Sequence, residues 1–135
     1  MSFDEALPEI LALLDRRFGL ECLILFGSEA TAASRPDSDV DLAALFRTRP
    51  SQIDLLEARA DLERVLAREV DLVDLAEASP ILALQVLQKG RCVFGAGSAR
   101  LAALQATLPS RTEDLRRVRA AAESALVERV LHGRS

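Results

Sequence analysis

At 135 residues, half apolar and 28% charged, the chain has the size and balance of one globular unit, which excludes a disordered protein and leaves little room for a separate substrate domain. Its longest apolar runs, residues 23–26 and 42–46, are far shorter than the ~20 residues of a membrane span. The acidic start MSFDEALPEI lacks the basic and apolar regions of a signal peptide, so a cytoplasmic protein with no membrane association is expected. A net charge of −4 without Trp or Tyr argues against direct nucleic-acid binding, which needs concentrated positive charge or stacking platforms.

In chain order, Ala6, Leu7, Ile10, Leu11 and Leu14 recur at helical spacing and predict a helix over residues 4–17, stopped by Gly19. Glu21 to Phe26 is too short and too apolar for a helix and reads as a buried strand. Gly27-Ser28 turns the chain into one or two helical turns over Glu29 to Ala33. SRPD, residues 34–37, has turn chemistry, and Ser38 to Phe46 reads as the second strand. Ser51 with Asp54 forms a capping-box pair opening a helix whose expected apolar face is Ile53, Leu56, Ala60, Leu62, Val65 and Leu66. Val70 to Leu75 is a third strand. Ser79-Pro80 starts a further helix that ends at Gly90, and Arg91 to Phe94 is a fourth strand. A helix begins at Ser98, breaks at Pro109, and is recapped by Ser110 with Glu113 for a last helix to about Leu131. The expected fold is α/β (α+β), a small mixed sheet of about four strands flanked by helices. Residues 1–135 form one domain in this reading, with 98–135 as a C-terminal helical extension.

Cys22 and Cys92 lie in apolar stretches, far apart, and read as small buried hydrophobes. His132 is the only histidine, which argues against a histidine-based triad or metal centre; it reads as solvated. The arginines at 111, 116, 117 and 119 are interleaved with Glu113, Asp114, Glu123 and Glu128, the pattern of a solvated helix face or, if functional, of a surface where a partner docks.

The chemistry concentrates in LFGSEATAASRPDSDVDLAALF, residues 25–46. Gly27 and Ser28 follow a strand and open a helix, where a bare backbone and free N–H groups favour an anion; the same dipeptide also suits a simple turn and cap. Asp39 and Asp41 are two apart on a strand, so both carboxylates share one face while Val40 and Leu42 point into the core. Such a pair repels itself unless a cation lies between, and oxygen ligands select a hard ion such as Mg²⁺. The alternative is a solvent-facing strand on which two aspartates are harmless. Asp71, in EVDLVDL, can join the pair only if its strand is a neighbour. Asp74 falls on the opposite face from Asp71 and reads as structural, as does Asp37 in its turn.

Gly27-Ser28, ten residues, then Asp39-Val40-Asp41 resembles the G-S-x10-D-x-D signature of the DNA polymerase β-like nucleotidyltransferase superfamily. The chain looks most like its minimal members, the MNT proteins that pair with HEPN-domain ribonuclease toxins in toxin–antitoxin modules. The resemblance implies that Gly27 and Ser28 contact the triphosphate and that Asp39 and Asp41 hold two Mg²⁺ ions. It implies that Asp71 completes the metal site and helps activate the incoming hydroxyl. Two positions depart from the family: Thr31 and Ala32 stand where Arg or Lys followed by Gly is common. Glu29 adds negative charge beside the phosphate site, and Arg35 is the nearest candidate to offset it.

The function this resemblance implies is an antitoxin that transfers AMP from ATP to a hydroxyl, expected on a tyrosine of a cognate HEPN toxin, within a hetero-oligomer. Two other readings stay open. A small-molecule nucleotidyltransferase of the aminoglycoside-modifying kind would need more protein for its acceptor pocket. A catalytically silent antitoxin would act by contact alone, which the three intact carboxylates argue against and Glu29, Thr31 and Ala32 argue for.

Overall fold

The computed structural model describes residues 2–27 and 39–108. Helix α1 (Phe3–Phe18) begins where the Ser2 hydroxyl accepts the Glu5 N–H at 3.2 Å and ends at Gly19, whose N–H donates to the Asp15 carbonyl. Gly19 has φ +69°, a left-handed conformation costly for other residues, which is why the helix stops there. Strands β1 (Leu20–Phe26) and β2 (Val40–Phe46) follow, then α2 (Gln52–Leu66), β3 (Val70–Asp74), α3 (Pro80–Lys89) and β4 (Arg91–Phe94). A further helix, α4, covers residues 99–108. Local chemistry sets the starts. Ser51 and Asp54 exchange reciprocal hydrogen bonds in a capping box at α2. Ser79 accepts from the Leu82 N–H ahead of α3, and Ser98 from the Leu101 N–H ahead of α4.

The four strands form one mixed sheet in the order β3-β2-β1-β4. β1 runs antiparallel to both β2 and β4, while β2 and β3 are parallel. A parallel pair needs a crossover connection, and α2 supplies it. Because side chains alternate along each strand, the sheet buries both faces. Val40, Leu42, Ala44, Phe46, Leu23 and Leu25 pack with α1 and α2 on one side. Cys22, Ile24, Ala43 and Leu45 pack with Ala83 and Val86 of α3 and Leu101 and Leu108 of α4 on the other. The α/β class and the four-strand mixed sheet agree with the sequence reading.

Three expectations are corrected. The buried face of α2 is Ala58, Leu62 and Leu66, with Leu55 and Val65 partly buried against the same core; Ile53 and Leu56 are 68% and 60% exposed, and Ala60 is exposed too. Leu62, Val65 and Leu66 of the expected face do pack inward; in the first half of the helix, contact with α1 and β3 selects Leu55 and Ala58 over Ile53, Leu56 and Ala60. Arg17 of α1 reinforces that choice by pairing with Asp61 and, at 3.8 Å, Glu57 on α2. Cys92 is exposed, because β4 is an edge strand with one neighbour, whereas Cys22 is fully buried as expected. Burial raises the Cys22 thiol to about 11, so it is an inert core group. Finally, β2 begins at Val40, so Asp39 stands just ahead of the strand and not within it. Ser28, the turns over residues 29–37 with Glu29, Thr31, Ala32, Arg35 and Asp37, and the last helix with its arginines and His132 lie outside the described residues.

Candidate active site

The sequence writes the same triplet twice, Val40-Asp41-Leu42 and Val70-Asp71-Leu72, and the sheet lays one beside the other. β2 and β3 pair in parallel with Val40 opposite Val70, Asp41 opposite Asp71 and Leu42 opposite Leu72. The Val40 N–H donates to the Glu69 carbonyl at 2.9 Å and fixes that register at its start. A one-residue slip would turn the valines and leucines out of the core, and all four are buried. Their burial on the α1–α2 side therefore forces both aspartates onto the opposite face, on strands spaced about 4.8 Å apart.

Asp41 is only partly exposed, while Asp39 and Asp71 reach solvent. Burial pushes the Asp41 carboxyl above the usual carboxylate range, and the negative charges of Asp71 and then Asp39 push it the same way. On the other side of β2, Asp41 is the register partner of Phe26, the last residue of β1, and Gly27 follows with φ +73°. Gly27, Asp39, Asp41 and Asp71 thus converge at one end of the sheet.

A magnesium ion suits this arrangement in a particular way. Among the described residues no group of three or more His, Cys, Asp or Glu side chains is gathered closely enough to hold a metal by itself. Mg²⁺ is usually held by one or two carboxylates together with substrate phosphates and waters, in contrast to a closed protein cage. Asp41 and Asp71, side by side with Asp39 ahead of them, provide a donor set of that kind.

Asp74 takes the structural part expected of it. It ends β3, its carboxylate accepts the Ala76 N–H at 3.2 Å, and its carbonyl accepts the N–H groups of Glu77 and Ala78. Burial raises its carboxyl and the Ala76 hydrogen bond opposes that rise. Arg100, to which the sequence reading gave no part, closes the same end of the sheet. Its guanidinium donates to the Phe46 carbonyl at 2.7 Å and lies 3.5 Å from Glu21. Its partner carbonyl is 54 residues away, so no local pattern marks it.

The model of the family described as polymerase beta, nucleotidyltransferase matches residues 8–98. The protein adenylyltransferase MntA of Shewanella oneidensis is 36% identical over 76 residues, which are 56% of this chain and 55% of that protein. The chain therefore spans about half the length of that relative. A crystal structure of a toxin–antitoxin with AMP-PNP contains a chain that superposes with a TM-score of 0.79 at 28% identity, covering 89% of this chain and 97% of that one. A chain of the tri-AMPylated Shewanella oneidensis HEPN toxin in complex with MNT antitoxin superposes with a TM-score of 0.76 at 26% identity, covering 93% of this chain and 99% of that one.

Proposed function

Because the chain belongs to the polymerase beta nucleotidyltransferase family, we propose that it is an antitoxin enzyme that transfers AMP from ATP to a hydroxyl, a tyrosine in the leading reading, of a HEPN-domain toxin in the cytoplasm. The observation that carries this reading is the alignment of Asp41 with Asp71 across a parallel strand pair, on one face, beside the end of β1. The similarity to an MntA adenylyltransferase and to complexes bearing a nucleotide analogue and an AMPylated toxin supports the choice of donor and acceptor.

In this reading Gly27 and Ser28 bind the triphosphate, and Asp39, Asp41 and Asp71 hold two Mg²⁺ ions. When bound, the metal neutralises the phosphates and stabilises the attacking and leaving oxygens of an in-line displacement. Asp71 takes the proton of the acceptor hydroxyl as that oxygen bonds to the α-phosphorus; the bond to the β-phosphate oxygen breaks and pyrophosphate leaves. The chain's own work is alignment and charge placement.

The test uses the full chain, ATP, Mg²⁺ and the product of the adjacent reading frame. That product should gain one or more AMP units by intact mass and lose its toxicity. Asp39→Ala with Asp41→Ala should lower transfer by at least ~10²–10³-fold, the scale of one preorganised electrostatic contact. A double variant that neutralises the toxin as well as wild type would mean that binding alone suffices.

A further inference from the structure

A second relation at the end of β1 involves what Gly27 lacks. Its φ of +73° is left-handed, and a Cβ built on it would sit 3.1 Å from Asp41 Cγ and 3.4 Å from Asp41 Cβ, with Asp41 Oδ2 closer still. Real Cβ atoms do not approach a carboxylate oxygen so closely, so the Asp41 side chain fills the space that a larger residue at 27 would occupy. What crowds that space is the mobile end of a side chain and not backbone. At Gly95, by contrast, the Glu21 carbonyl and the Cys22 Cα bar the way. A methyl group at position 27 would strain the left-handed turn and would push the Asp41 carboxylate aside, since the atoms nearest to it are all of the Asp41 side chain.

We propose that Gly27 is a positioning residue for Asp41: by having no side chain it forms the seat that holds the Asp41 carboxylate over the end of β1, in line with Asp71. The strand context makes the coupling direct. Phe26 and Asp41 are register partners, so Gly27, next in the chain after Phe26, lies against the Asp41 side chain. The consequence for metal binding rests on the function proposed above, whereas the seat itself does not.

The experiment compares wild type, Gly27→Ala, Asp41→Asn and the Gly27→Ala/Asp41→Asn double variant as full chains. The metal-free measurement is the side-chain carboxyl ¹³C resonance of Asp41 at fixed neutral pH. In Gly27→Ala it should shift while that of Asp74 stays in place and the chain still melts cooperatively; an unmoved Asp41 resonance overturns the proposal. The second measurement is Mn²⁺ binding without nucleotide, read by water-proton relaxation. Gly27→Ala should weaken it by about as much as Asp41→Asn does, and the double variant should be no weaker than either single one, as expected when two residues act as a unit. Wild-type Mn²⁺ binding that Gly27→Ala leaves unchanged, or additive losses in the double variant, would also overturn the proposal. Absence of Mn²⁺ binding in wild type would mean that the ion needs the nucleotide phosphates as ligands, and the Asp41 resonance would then decide the seat by itself.

Discussion

Asp41 is the residue on which most of the physics converges. Its position is an outcome of the alternation in Val40-Asp41-Leu42, where two fully buried neighbours leave it no other face. Its raised carboxyl means that the folded chain holds a proton there more tightly than the unfolded chain does. The contribution to stability is therefore complete below the ordinary carboxylate value of ~3.9 and is lost as pH rises through the folded value. At neutral pH the ionised group burdens the metal-free protein. Asp41→Asn should accordingly melt at a higher temperature than wild type at pH 7, with the difference shrinking as pH falls toward ~4. Thermal melts of both proteins across that range check it. A variant less stable than wild type at pH 7 would show that the carboxylate holds the fold together.

At the scale of elements, most helix and strand starts could be read from single residues, because caps and turns are local chemistry: Ser51 with Asp54, Ser79 with Pro80, and Gly19 each act within four residues. The first half of the α2 face could not, whereas Leu62, Val65 and Leu66 pack as their spacing predicts. Ile53, Leu56 and Ala60 make as good a helical stripe as Leu55, Ala58 and Leu62, and only the packing partners α1 and β3 decide between them. Two substitutions measure that decision. Leu62→Ala removes a fully buried side chain and should cost ~2–5 kcal/mol. Leu56→Ala, on the exposed stripe, should change stability by no more than about 0.5 kcal/mol. Chemical denaturation of the two variants checks the ranking, and equal losses would mean that the exposed stripe is covered. Cys92 has the same explanation. Val93 and Phe94 after it are apolar, yet exposure depends on β4 lying at the sheet edge, which is a matter of strand order.

For the molecule as a whole, the sheet separates two tasks. One end gathers Gly27, Asp39, Asp41 and Asp71. The other is tied by Arg100 to Phe46 and Glu21 and by Arg49 to Glu77 at 3.2 Å. The spacing of Asp39 and Asp41 was legible as a candidate site because it lies within three residues. The adjacency of Asp71 was legible only as a condition, since it depends on β3 pairing with β2 across a helix. The seat at Gly27 was not legible at all, because it is a distance between two elements. Nucleotidyl transfer, the central claim, is tested most directly by supplying ATP labelled on either the α- or the γ-phosphate, with Mg²⁺ and the product of the adjacent reading frame. Wild type and Asp74→Asn should place the α label on the acceptor and never the γ label, and Asp41→Asn should place neither. Transfer of the γ label would make the protein a phosphotransferase, and α label retained at full rate by Asp41→Asn would remove Asp41 from the chemistry.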